Sequence, residues 1–193
     1  MSEEKQMDSV KLSILIPTME SRKDMFEKLL KELDTQIMGG MVDVDADATP
    51  ELSIGEKRNN LLQRARGEYV CFVDDDDEVS KDYVYDIMEA LMQSPDCLSL
   101  RGVITWDGVN PELFEHSIRY KAWITNTTSP IKYERYPNHL NVIKASIAKQ
   151  FKFPDNSFGE DHDWAKQIHE SGLLKNEVYI DKVLYNYKYV TKK

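Results

Sequence analysis

The chain has little cysteine, little histidine and no long apolar run, and each shortage removes a class of protein. Among 193 residues there are two cysteines, Cys71 and Cys97, too few for a disulfide framework or a cysteine-ligated zinc site. A reducing compartment suits them. No apolar stretch approaches the roughly 20 residues of a membrane-spanning helix, and Met1 to Asp8 is acidic and polar where a signal peptide is basic and then apolar. The expectation is a soluble, cytoplasmic protein with no transmembrane segment. Basic residues are outnumbered, 25 Lys and Arg against 34 Asp and Glu, for a net charge of -9. That balance argues against a broad basic surface for nucleic acid. Internal repeats and low-complexity tracts are also missing, and the length suits one domain with one good core.

What the chain does have is an apolar run, Tyr69 to Val73, that leads directly into Asp74, Asp75, Asp76 and Asp77. A short β-branched and aromatic run behind Gly67 predicts a buried strand of a sheet covered on both faces. Ligand crevices of open α/β sheets lie at the carboxyl ends of the strands, where these four carboxylates fall. Adjacent negative charges repel unless something positive sits among them, and a hard divalent cation bridging phosphates is one solution. A solvated acidic turn is the alternative.

Strand-like and helix-like segments alternate around this stretch. Leu12 to Ile16 predicts a first strand ended by Pro17 and Thr18. Ser21 with Asp24 predicts the cap of a helix whose buried face carries Phe26, Leu29 and Leu33. Met41 to Asp45 predicts a second strand, and Ser53 with Glu56 a capping box for a helix closed by Gly67. Ser80 is expected to cap a third helix. The βαβαβ order implies a parallel sheet with right-handed crossovers. Past Pro95, strands are expected at Leu98 to Ile104, Ser117 to Thr125, Leu140 to Ile143, Val178 to Ile180 and Val183 to Val190, with a turn-rich stretch from Asn126 to Asn138. Glu160 to Asp163 opens a helix that carries Trp164 and Ile168 and ends at Gly172. Carboxylates in a first helical turn also stabilise the macrodipole, so they have a structural explanation beside any functional one.

Several of these stretches together resemble the family 2 glycosyltransferases. They are the first strand ending in Pro-Thr, Gly55-Glu-Lys-Arg-Asn-Asn, Ala65-Arg-Gly-Glu-Tyr-Val-Cys-Phe-Val followed by the four Asp, and Phe158-Gly-Glu-Asp. The resemblance implies a GT-A fold, an α/β Rossmann-like architecture with a mostly parallel central sheet flanked by helices. It further implies a nucleotide-sugar donor, usually a UDP-sugar, a Mn or Mg ion, inversion at the anomeric carbon and a hydroxyl-bearing acceptor. The Gln-x-x-Arg-Trp motif of processive synthases is absent, which points to a non-processive member. Residues of about 11–95 are expected to hold the donor, and those of about 96–193 the acceptor and the base.

By resemblance, Pro17 and Thr18 would line the base pocket, Asp45 or else Asp47 would reach the uracil, and Arg58 would contact the nucleotide. Asp74 would sit near the ribose with Asp75 beside it, and Asp76, with Asp74, would hold the metal. Asp161 matches the family's catalytic base. Glu160, Trp123, His162 and Lys188 are expected to contact the acceptor or diphosphate, or to support the site. His139 is left without a role. Many members of the family carry a metal-binding histidine after the last aromatic strand, where this chain has Val190. A nucleotidyltransferase of related fold is one rival; the stretch from Pro17 to Asp24 holds no glycine for the phosphate-cradling loop it would want. The other rival, a non-enzymatic cation- or sugar-binding module, leaves the Glu160-Asp161 pair unexplained.

Overall fold

The computed structural model describes residues 9–191, so the acidic leader and the terminal Lys192 and Lys193 lie outside the described residues. The strands β1 (Leu12–Pro17), β2 (Val42–Asp47) and β3 (Tyr69–Phe72) pair in parallel with β1 in the middle. Beside β3 the sheet continues through β10 (Ile143–Lys144), β5 (Cys97–Leu98) and β11 (Glu177–Val178). Only β10 runs antiparallel to its neighbours there.

Alternation along the central strands sends side chains to two cores. Leu12, Ile14, Ile16, Tyr69, Cys71 and Val73 pack with Leu29 and Leu33 of α1 (Lys23–Asp34) and with Val84 and Ile87 of α3 (Tyr83–Leu91). On the opposite face Leu15, Val70 and Phe72 meet Leu61 and Leu62 of α2 (Ile54–Arg64) and Trp164 and Ile168 of α5 (Glu160–Ser171). The short α4 (Ala145–Ala148) joins the same side. Helices on both faces explain why β1 and β3 read as continuous apolar runs.

A second sheet, not expected from the sequence, orders β4 (Glu78–Val79), β12 (Val183–Tyr189), β6 (Leu100–Trp106), β7 (Val109–His116), β9 (Ile131–Arg135) and β8 (Ile124–Thr125). The run expected as one strand from Leu98 to Ile104 divides at Ser99, whose Oγ accepts the Ile180 N–H at 2.8 Å. Asp107 and Gly108 turn back with positive φ, as expected of that pair, but the returning strand is Val109–His116 and not Ser117 to Thr125. Asn110, Pro111 and Glu112 disguise it, since all three are poor strand formers. The turn-rich stretch holds β9, and the strand expected at Leu140 begins only at Ile143.

Three expected caps are corrected. Ser21 lies inside a 3-10 turn (Glu20–Arg22), and α1 begins without a side-chain cap. Ser80 offers its carbonyl to the Tyr83 N–H, not its hydroxyl, and α3 starts at Tyr83 with Asp82 at the N-cap. Helix α2 ends at Arg64 with Ala65 at the C-cap, and Gly67 serves close approach: a Cβ there would lie 2.5 Å from the Ser13 nitrogen. The Ser53–Glu56 capping box is present in both directions.

Candidate active site

The carboxyl ends of β1, β2 and β3 open onto a cleft of about 650 Å³. Its lining includes Pro17, Arg22, Lys57, Arg58, Asp76 and Lys188. The Asp77 N–H donates to the Asp74 carbonyl at 3.1 Å, so the acidic run forms a turn and its side chains diverge to separate partners. Asp74 accepts from Arg58 at 2.8 Å. Asp75, buried, accepts from the Thr18 hydroxyl at 2.7 Å and from Arg22 at 2.8 Å. Asp77, also buried, accepts from the Tyr185 hydroxyl and the Lys188 N–H, both at 2.8 Å. Burial and the charge of Asp74 push the Asp77 carboxyl well up. Burial would push Asp74 up as well, but the Arg58 guanidinium and His139 outweigh it and hold that carboxyl well below the usual range.

The positive charge that the sequence asked for among these carboxylates is therefore supplied in part by Arg22 and Arg58. Asp76 keeps only Arg22, at 3.1 Å, and stays about one-third exposed. Burial raises its pKa against the pull of Arg22. Among the described residues no three His, Cys, Asp or Glu side chains converge as a metal site. A Mg-type ion typically takes one or two carboxylates plus substrate phosphates and water. Asp76 fits that mode. Asp74, paired with Arg58 and facing His139, is not similarly open.

Other expected residues take unexpected positions. Pro17 lines the cleft, but the backbone groups of Thr18 are occupied: its N–H donates to the Asp47 carbonyl and its carbonyl accepts from the Lys57 ammonium at 2.8 Å. Thr18 orients Asp75 and Lys57. Asp45 does not line the cleft, because Arg64 grips both its oxygens. Asp47 is buried and accepts from the Thr49 N–H and hydroxyl, which fixes the turn leading to α2. Lys188 reaches the cleft with its ammonium paired to Glu78 at 2.5 Å.

A smaller cavity of about 250 Å³ adjoins the cleft, and Tyr187 of β12 lines both. Asp161, from the first turn of α5, is the sole carboxylate among the residues that line it. Gly159 at the N-cap has φ 80°, and no side chain caps the helix, so Asp161 does not serve as a hydrogen-bonding cap. Its neighbour Glu160 turns the other way and pairs with Arg58, which thus bridges α5 to the acidic turn. Trp123 lines the small cavity and packs edge-on against His162, which lies outside it.

His139 is the residue that the sequence left without a role. Its Nε2 lies 3.5 Å from Asp74 and its Nδ1 3.5 Å from Asp161, beyond hydrogen-bond geometry to either. It is buried between the two acidic sites, and its carbonyl accepts the Phe72 N–H at 2.9 Å. The one available signal was the polar cluster Asn138-His139-Leu140-Asn141 next to a strand, too short to carry periodicity.

Comparison with known proteins places this architecture. The structure of S. aureus TarS 1-349 superposes with a TM-score of 0.66 at 18% identity, covering 93% of this chain and 60% of that one. The same protein in complex with UDP-GlcNAc gives 0.67 at 19%, covering 95% and 60%, and in complex with UDP 0.66 at 19%, covering 93% and 61%. The chain thus spans about 60% of the length of these structures, and at such identity the likeness is one of fold. No curated protein sequence matches it significantly. The model of glycosyl transferase family 2 matches residues 20–155, a span that runs from the cleft-side turn after β1 through α2 and the acidic turn to the loop before α5. More than half of the chain lies within that match, and the chain belongs to glycosyl transferase family 2.

Proposed function

We propose that this protein is an inverting, metal-dependent glycosyltransferase that moves a sugar from a nucleotide-sugar donor, a UDP-sugar, to an acceptor hydroxyl. One observation carries the reading: a cleft with an open carboxylate and basic side chains shares the wall residue Tyr187 with a cavity whose only carboxylate is Asp161. The first fits a nucleoside diphosphate and the second an acceptor. The family assignment favours this over nucleotidyl transfer or a non-enzymatic module. The division of labour by sequence is incomplete, since Glu160, Tyr187 and Lys188 from the acceptor half line the donor cleft.

In the reaction the bond from the anomeric carbon to the diphosphate breaks, a bond to the acceptor oxygen forms, and the hydroxyl proton passes to Asp161. A positioned carboxylate is what makes the hydroxyl nucleophilic in the transition state. A single displacement with Asp161 as the base inverts the anomeric carbon. Negative charge grows on the departing diphosphate, and fixed positive groups aimed at it lower the barrier. Arg22 and Lys188 line the cleft for that task. A Mn or Mg ion held by Asp76 would add Lewis-acid stabilisation of the same charge. Arg58 and His139 fix the distance between the two acidic sites. Two buried free thiols suit a reducing compartment such as the cytoplasm, and no helix among the described residues is long and apolar enough to cross a membrane.

The test combines melting curves with turnover. UDP with Mn should raise the melting temperature more than either alone, through linkage, and Asp76→Asn should remove the synergy. A panel of nucleotide sugars identifies the donor in the same assay. Asp161→Asn should cut turnover by about 10² to 10⁴ while UDP affinity stays put. Undiminished turnover in that variant would sink the assignment of the base.

A further inference from the structure

The chain has seven arginines: 22, 58, 64, 66, 101, 119 and 135. Among the described residues six of them pair with a carboxylate. Arg135 does not, although the protein carries an excess of nine negative charges. Its guanidinium lies over the faces of Trp123, 4.2 Å from the ring centroid, and Tyr133, at 5.6 Å. It lines the small cavity opposite no carboxylate but Asp161. Burial lowers its pKa, and Asp161 is the only carboxylate opposing that shift.

The remaining polar groups of the cavity are arranged for a ligand as well. Trp123 has a buried indole N–H with no acceptor. Asn141 Oδ1 accepts from the Asn138 N–H, and its Nδ2 donates to the Leu98 carbonyl, so the amide orientation is fixed. His116 Nδ1, 3.2 Å from that Oδ1, must then carry the proton, which leaves its Nε2 as an acceptor. A fork of five N–H donors with no protein acceptor matches phosphate or carboxylate, which guanidinium binds bidentately.

We propose that the acceptor is anionic: it carries a phosphate or carboxylate group that Arg135 binds, on a ring held among Trp123 and Tyr187 with its hydroxyl at Asp161. The volume, below the roughly 300–1,000 Å³ of pockets for drug-sized ligands, limits the bound portion to about one ring and its substituents. Arg135 is then a specificity-determining residue. The proposal rests on the reading of Asp161 as the base only for the position of the hydroxyl.

Binding of glucose, glucose 6-phosphate and glucuronate to the full chain, measured by ligand-observed NMR with UDP and diamagnetic Mg present, tests it. One or both anionic sugars should bind at least about tenfold tighter than glucose, as a charge-assisted bidentate contact implies. Which of the two binds better separates phosphate from carboxylate recognition. Arg135→Gln should abolish the preference and Arg135→Lys keep part of it, with the UDP-induced melting shift unchanged in both. Equal or absent binding of the anionic sugars to the wild-type protein, or a preference that survives in Arg135→Gln, overturns the proposal. Wild-type ligand discrimination decides even if a variant folds poorly. Failure of the UDP shift with the anion preference intact would instead strike the donor reading.

Discussion

At the scale of single residues, the site is governed by which partner each ionisable group finds. Four consecutive aspartates end in four different environments, and Arg22 and Arg58 already supply much of the positive charge that the run requires. Repulsion that a metal would relieve is therefore confined to Asp76. His116 shows the same dependence on surroundings. Its complete burial, with Arg135 adding, depresses its pKa to about 3 against an ordinary 6.5. Above pH 6.5 the ring is neutral in folded and unfolded chains alike. Between 6.5 and 3 only the unfolded chain takes up the proton, so stability falls with pH through that window. The expected loss is on the order of a few kcal/mol by pH 4. Denaturant titrations at pH 7 and pH 4.5 check it: His116→Gln should show a smaller drop between the two than the wild-type protein. Equal drops would mean that the acid sensitivity arises elsewhere.

At the scale of elements, α2 and the loop before α5 set the two acidic sites against each other. The capping box starts α2, and Gly55 in its first turn lets the loop approach: its N–H donates to the Asn156 carbonyl at 2.9 Å, and a Cβ would sit 1.8 Å from the Pro154 carbonyl oxygen. Backbone cannot step aside as a side-chain tip can. Gly55→Ala should therefore cost about 1–3 kcal/mol as overpacking does, near 2–4 °C of melting temperature per kcal/mol at this chain length. It should also lower transfer, because the displaced loop leads into α5, whose first turn carries Glu160 and Asp161. Gly40, with nothing within 4 Å, is the control, and Gly40→Ala should stay within about 0.5 kcal/mol. Matching melts for the two variants would refute this account of Gly55. The capping box, the strand before the acidic turn and the helix around Trp164 were legible because caps and periodicity are local. Strand β7 was not, since a hairpin can hold a poor strand sequence once its partner β6 is in place.

At the scale of the molecule, the two sheets meet at the acidic turn. Strand β4 follows that turn and pairs with β12, whose Tyr185 hydroxyl accepts the Asp74 N–H at 3.1 Å and donates to Asp77. The second sheet therefore holds the end of the first in shape. Tyr185→Phe leaves a buried N–H and a buried carboxyl each short of a partner, a loss of about 1–3 kcal/mol. Calorimetry should show a melting temperature lower by several degrees and a smaller stabilisation by UDP with Mn. A variant that melts like the wild-type protein, and responds to UDP as strongly, would mean that the link between sheets carries no weight.

The sequence by itself determined the doubly wound half of the fold, the placement of the aspartates at a strand end and of Glu160 and Asp161 at a helix start, because each depends on residues a few positions apart. Only the tertiary structure decided what those groups face. Thr18 meets Asp75 across 57 positions, Arg58 meets Glu160 across 102, and Tyr185 meets Asp77 across 108. The same holds for His139 between two carboxylates and for Arg135 without one. Charge and proton affinity in a buried site are set by groups within a few ångströms, and packing, not chain order, chooses those neighbours.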